Sequence, residues 1–213
     1  MKRLFDLFFS IIGLFLLTPV LLCVGLAVRR DGGPTFFRQK RVGLKGRLFR
    51  IYKFRTMVQN AERLGAQITA GKDPRITKIG HFIRNSKIDE LPQLINVFWG
   101  DMSLVGPRPE VPKYVENWSL SDRQRILSIR PGITDYASLV YSNEQEVLSR
   151  SKNPEQYYVD EITPRKLSLY RKYAIEMNVW LDFRVILATL AKICGVNIKF
   201  LLPELFAESV DEN

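Results

Sequence analysis

The strongest constraint on this chain is its opening stretch, MKRLFDLFFSIIGLFLLTPVLLCVGLAVRR. From Leu4 to Val28 the only charged side chain is Asp6, far too apolar a run for the exposed helix of a soluble domain. As a helix it reaches about 38 Å, against a hydrocarbon core of about 30 Å, so it is long enough to span. A cleaved signal is disfavoured, because no small-residue cleavage site is present and Arg29-Arg30 closes the segment. A buried core helix would need a larger body than this chain offers. A fourth arrangement fits the punctuation better. Lys2-Arg3 and Arg29-Arg30 place positive charge at both ends, and Lys and Arg favour the cytoplasmic side. Thr18-Pro19 falls near the middle, where Pro removes a backbone donor and bends a helix. The Thr18 hydroxyl can serve a freed carbonyl, which makes a break tolerable at membrane depth. The expectation is a re-entrant membrane helix with its break at Thr18-Pro19, over residues 1–30, rather than a spanning one.

The remainder, 31–213, reads as one compact domain of mixed helices and strands, an α+β body. Its charge narrows the partners. The chain carries +10 with 32 Lys and Arg, which suits nucleic acid, acidic headgroups or phosphorylated substrates. Two cysteines, Cys23 and Cys194, make no disulfide framework, and a single histidine argues against a Cys/His zinc site. After the turn DGGP, the stretch TFFRQKRVGLKGRLFRIYKFRTM predicts two strands joined at Gly43–Gly46. Its many cations mark either an edge strand gripping anionic headgroups or, for Lys53 and Arg55, contacts to substrate phosphates.

Residues 58–66 read as a polar helix, followed by a turn at Asp73-Pro74 and a short amphipathic segment ending near Arg84. Gly65 to Lys72 is one residue too long for a P-loop, and Asp73 stands where Ser or Thr should hold magnesium. SLVGPRPEVP is too proline-rich for regular structure, but it encloses Arg108 between two prolines of fixed φ. SIRPGIT is a second stiff turn carrying Arg130. Two arginines on stiff turns suit a diphosphate, because a pre-set guanidinium fork loses little entropy on binding. Helices are expected near 163–177 and 181–194, the second with an apolar stripe for the core or a membrane interface. The tail ESVDEN is acidic and frayed.

The stretch KIDELPQLINVF sets Asp89 and Glu90 before an apolar run, and two readings stand. Asp89 can be the N-cap of a helix in which Pro92 is the third residue and Leu94, Ile95 and Phe98 form the buried face. It can equally be a nucleophile, since an ionised aspartate attacks phosphorus. Glu90 could then help hold a divalent cation, with Arg84, Arg108 and Arg130 offsetting a diphosphate. Adjacent residues on a regular helix point about 100° apart, so joint action requires an irregular first turn.

These motifs, from KRLFDLFFSIIGLFLLTPV through IDELPQLINVFWGDMSLVGPRP to RPGIT, occur in an order that resembles the bacterial sugar transferases known as monotopic phosphoglycosyl transferases. The resemblance covers residues 2 to about 134. It implies transfer of a sugar 1-phosphate from a UDP-sugar to a polyprenyl (undecaprenyl) phosphate, releasing UMP, with Mg2+. It further implies a monotopic protein of the bacterial inner membrane, its catalytic domain on the cytoplasmic face, initiating a surface glycan. The family's Asp-Glu pair falls on Asp89, the nucleophile, and Glu90, which positions magnesium or assists proton removal. The family's functional cations fall on Lys53, Arg84 and Arg108, and Arg130 matches its RPGIT turn. No nucleic acid is expected, and the oligomeric state, a homodimer included, is left open. After Thr134 this chain departs from the common pattern of Gly, an aromatic, Ala and Gln, reading Asp135-Tyr136-Ala137-Ser138 instead. Residues 135–213 are accordingly the variable, helix-rich part expected to set donor-sugar preference. The compact form, without a large multi-span module, points toward an amino-sugar donor. Two rivals remain: a lipid- or nucleic-acid-binding protein without catalysis, and a metal-dependent phosphohydrolase in which the same pair serves a water.

Overall fold

The computed structural model describes residues 1–61, 64, 69, 71, 73–141 and 143–206. Half of the polar helix expected at 58–66, most of the Gly65–Lys72 stretch and the acidic tail lie outside them. Helix α1 (Lys2–Arg30) is continuous, with Pro19 inside it. The expected interruption at Thr18-Pro19 is therefore not seen as a gap in the helix. Thr18 Oγ1 donates to the Leu14 carbonyl at 2.6 Å, one residue before the carbonyl that a proline at 19 leaves without its i−4 donor. The hydroxyl thus reinforces the turn below Pro19 instead of serving the freed group.

One face of α1 lies along the body from end to end. Asp6, Ser10 and Val28 are buried, Phe5, Leu14 and Leu17 pack on the main core, and Leu21 and Val24 join Val28, Phe54 and Ile83. The spacing of three and four residues is one helix stripe. Leu4, Phe8, Ile11, Phe15, Leu16, Leu22 and Leu26 point the other way and are exposed. At 29 residues the helix is about 43 Å long, yet both ends touch the same body. Lys2 donates to the Val105 carbonyl at 3.0 Å and reaches Asp182 at 2.5 Å. At the other end the Val28 carbonyl accepts from Arg55 at 3.0 Å. Asp6, the lone charge, is 2% exposed and accepts from Ser103 Oγ at 2.9 Å and from the Leu104 amide at 3.0 Å.

The expected hairpin is one ribbon broken at its middle. Strands β1 (Phe36–Phe37) and β4 (Lys53–Phe54) pair antiparallel at its base, and β2 (Lys40–Val42) and β3 (Leu48–Arg50) pair beyond. A 3₁₀ turn, Leu44–Gly46, closes it with Lys45 at φ 54°. Helices α2 (Lys78–Asn85) and α3 (Gln93–Trp99) follow, and Gly100 at φ 92° ends α3 in the left-handed turn that suits glycine. The proline-rich 103–112 stretch does open with regular structure. Strand β5 (Ser103–Val105) pairs in parallel with β6 (Gly132–Thr134), because the apolar residues before Gly106 come free of the prolines that follow. Short helices α4 (Pro112–Val115), α5 (Leu120–Ile126), α6 (Tyr136–Val140), α7 (Glu144–Ser149) and α8 (Pro154–Tyr157) lead to α9 (Thr163–Glu176) and α10 (Val179–Ile193), close to the expected spans. The chain ends its described part with α11 (Pro203–Phe206). The main core joins Leu94, Val97, Met102, Leu104, Tyr136, Tyr173 and Val185, so α3, the parallel pair and α10 share one interior. The body is a mixed helical and strand fold, with α1 the only described helix long and apolar enough to cross a membrane.

Candidate active site

The acidic pair sits in a 3₁₀ turn, Ile88–Glu90, between α2 and α3. Lys87, at φ 59°, turns the chain into it through the left-handed region, which is uncommon for a residue with a Cβ. Asp89 is 2% exposed, but it is not the cap of α3. Pro92 precedes the first helical residue, Gln93, and no side chain caps that end. The capping expectation is corrected: the chain needs an extra tight turn to pass Pro92, which moves Asp89 off the helix and toward β4.

There it meets Lys53. The Lys53 ammonium lies 2.8 Å from Asp89 Oδ2 and 3.1 Å from Glu90 Oε1. The irregular turn required for joint action is therefore present, because a single cation holds both adjacent carboxylates. Arg108 closes the other side of Glu90 as a fork, Nη1 to Oε2 at 3.2 Å and Nη2 to Oε1. Its position comes from the β5–β6 crossing. A Cβ on Gly132 would lie 2.1 Å from the Gly106 amide nitrogen, so the two backbones meet where only glycine fits. Burial alone would raise the Glu90 pKa, but the Arg108 and Lys53 charges outweigh it and hold the carboxyl well below its usual range.

Two polar atoms at this pair have no protein partner among the described residues: Asp89 Oδ1 and Arg84 Nη1, both buried. Arg84 Nη2 donates to Thr69 Oγ1 at 3.3 Å. Burial lowers the Arg84 pKa, while the charges of Asp89, Asp73 and Glu90 raise it, which places its guanidinium in the field of the pair. An unpaired buried group costs about 1–3 kcal/mol, so a carboxylate oxygen and a guanidinium nitrogen left open together mark a place for a polar ligand. A free acceptor beside free donors suits a phosphoryl group in reaction: the anion binds the cations and the carboxylate oxygen faces the phosphorus.

Lys53, Arg84 and Arg108 are thus gathered around Asp89 and Glu90. Arg55 and Arg130 are not. The Arg55 guanidinium is buried and donates to the carbonyls of Pro34 at 2.9 Å, Met57 at 3.1 Å and Val28 at 3.0 Å, and also to that of Gly32. It ties the end of α1 to the ribbon. Arg130 Nε donates to the Gly100 carbonyl at 2.9 Å, at the far end of α3 from the pair. Sequence reasoning missed Gln93, which is fully buried with neither amide atom partnered, one turn beyond Asp89. A polar residue on the buried face of an apolar run was the available signal. It also missed the setting of Asp135. This residue is buried, caps α6 through the Ser138 amide at 2.9 Å, and leaves Oδ2 without a partner. Burial pushes its pKa up, and the charges of Arg108 and Lys166 oppose that rise.

Among the described residues no three His, Cys, Asp or Glu side chains cluster to hold a metal. The donors that exist nonetheless suit magnesium, which binds through one or two carboxylates, waters and substrate phosphates rather than an all-protein cage. Each carboxylate oxygen has two lone pairs, so Asp89 Oδ2 and Glu90 Oε1 can keep Lys53 and still accept a cation.

An apolar helix laid along a body whose centre is an acidic pair ringed by cations defines a membrane-associated protein built to handle phosphate. The family model for bacterial sugar transferases matches residues 1–195, and the chain belongs to that family. It is 40% identical over 200 residues to "Galactosyl transferase CpsE" of Streptococcus agalactiae serotype III (strain NEM316), covering 89% of this chain and 41% of that protein. It is 36% identical over 199 residues to the "UDP-N-acetylgalactosamine-undecaprenyl-phosphate N-acetylgalactosaminephosphotransferase" of Aeromonas hydrophila, covering 90% and 43%. It is 34% identical over 197 residues to the "UDP-glucose:undecaprenyl-phosphate glucose-1-phosphate transferase" of Escherichia coli (strain K12), covering 90% and 40%. The chain thus spans about two-fifths of the length of these relatives.

Proposed function

We propose that this chain is a phosphoglycosyl transferase that moves a sugar 1-phosphate from a UDP-sugar to undecaprenyl phosphate, as the first membrane step of a surface glycan. The observation that carries the reading is Asp89 Oδ1: buried, without a protein partner, on a carboxylate whose other oxygen is held by Lys53. Asp89 attacks the β-phosphorus of the donor. The new carboxyl oxygen–phosphorus bond forms as the bond to the bridging oxygen breaks, and the bridging oxygen leaves with its electron pair on UMP. An oxygen of the lipid phosphate then attacks the same phosphorus, and Asp89 departs as the free carboxylate. Arg84 and Lys53 neutralise the diphosphate, and Arg108 fixes Glu90 beside the reacting group. Magnesium, when held by Asp89 and Glu90, would supply further positive charge to the diphosphate.

The same reading places α1 in the cytoplasmic leaflet. A helix with both ends on one body and an apolar outer face suits a re-entrant or half-immersed anchor, because a spanning helix would carry one end about 30 Å away. The relatives are named for galactosyl, N-acetylgalactosamine and glucose transfer, so residues 135–213 are where this chain's own donor preference is to be sought. The test is a panel of UDP-sugars with UMP detection on detergent-solubilised protein, with and without undecaprenyl phosphate. Lipid-dependent turnover on one sugar supports the transferase. Sustained UMP release that ignores the lipid contradicts it and favours hydrolysis.

A further inference from the structure

The basic ribbon holds a second concavity, on the face opposite Lys53. Its volume is about 400 Å³, and Arg38, Lys40, Arg50, Tyr52, Trp99 and Asp101 help line it. Side chains two residues apart on a strand share a face, which puts Arg38 with Lys40 and Arg50 with Tyr52 on one side of the ribbon. Lys40 and Arg50 stand directly opposite each other in the β2–β3 register. Like charges so placed destabilise a strand pair. Among the described residues none of these three cations has an acidic partner, and Asp101 accepts instead from Asn96 Nδ2 at 3.3 Å. The Arg38 guanidinium lies 4.3 Å over the Tyr52 ring. That contact uses its flat face and leaves its N–H edge open and oriented. Three unpaired cations, two of them forced together, are arranged around an anion.

The cavity's rim says where the anion comes from. Trp99 is 71% exposed and its ring is 5.5 Å from that of Phe98. Arg3, in the first turn of α1, donates to the Val97 carbonyl at 2.6 Å and the Phe98 carbonyl at 3.0 Å. The mouth therefore opens beside the start of the apolar helix, where Leu4 and Phe8 face outward. Trp with cations beside an apolar surface is the composition of a membrane–water boundary. We propose that this cavity binds the phosphodiester headgroup of an anionic membrane lipid and sets the depth of the body against the leaflet. The proposal rests on the membrane reading of α1.

The test uses the full chain in neutral detergent and native mass spectrometry. Phosphatidylglycerol and phosphatidylcholine of matched acyl chains are titrated against it and against the variant Arg38→Gln, Lys40→Gln, Arg50→Gln. Relief of the Lys40–Arg50 repulsion should leave that variant's melting temperature unchanged or raised. The expected result is preferential retention of one phosphatidylglycerol, falling about tenfold, or about 1.4 kcal/mol, to the phosphatidylcholine level in the variant. Millimolar UMP or inorganic phosphate should not displace the lipid. Equal phosphatidylglycerol retention by both proteins overturns the site, and displacement by free phosphate overturns its assignment to a lipid. Failure of both proteins to retain either lipid overturns the membrane reading of α1 and this proposal with it.

Discussion

Replacing Arg108 by Met removes the fork over Glu90 while keeping a side chain of similar reach. Breaking a buried ion pair by deleting one partner costs about 3–5 kcal/mol. Arg108 is 34% exposed along its side chain, and Glu90 keeps Lys53. Screening and the surviving contact bring the expected loss to about 2 kcal/mol, a fall of about 30-fold in kcat/KM. Arg108→Lys keeps the charge but loses the bidentate geometry, so it should fall about tenfold rather than behave as a conservative change. The pH dependence gives a second readout. Glu90 is held well below its ordinary value of 4.5. Such a carboxyl contributes stability in full above that ordinary value and loses it as pH falls through the depressed native one. Without Arg108 the native pKa returns upward, so the contribution is lost at higher pH. Acid unfolding and the acid limb of UMP release should both move to higher pH. The assay is UMP release against pH, with melting temperatures on the same samples. If both variants stay within twofold of the parent and the acid limb does not move, Arg108 does not act through Glu90.

Two other substitutions separate anchoring from chemistry. Asp6→Ala leaves Ser103 Oγ and the Leu104 amide without their acceptor, and should lower stability by about 3 kcal/mol, read as a drop in melting temperature and faster proteolysis near α1. Sedimentation with membranes should persist, because the apolar outer face is untouched. Arg55→Gln removes a guanidinium that ties four carbonyls together; it should destabilise by about 3 kcal/mol while leaving the KM for the UDP-sugar unchanged in the folded fraction. A raised KM would return Arg55 to the substrate.

The ribbon, α9, α10 and the acidic pair were legible in the sequence because each is marked locally. Gly43 and Gly46 bracket the turn, apolar spacing marks the helices, and Asp89-Glu90 stands before a buried run. What the sequence hid depends on partners far along the chain. Arg55 looks like any other cation of a basic strand until the carbonyls of Pro34 and Gly32 close around it. Asp6 reads as one stray charge in an apolar helix, and its explanation lies at Ser103 and Leu104. The β5–β6 pairing was masked by the prolines around Arg108 and the need for two glycines to cross. Asp89 illustrates the limit best. Its local pattern matches a helix cap, and only the approach of Lys53 from the ribbon turns it to another use.

The most direct test of the account is a rapid-quench experiment in which protein and a radiolabelled UDP-sugar that turns over are mixed without lipid. The proposed mechanism predicts about one equivalent of UMP per enzyme and label retained on a peptide containing Asp89, discharged when undecaprenyl phosphate is added. Asp89→Asn should give neither burst nor label while remaining folded. UMP formed only when the lipid is present, with no labelled protein at any time, would contradict an aspartyl intermediate and assign the buried carboxylate another role.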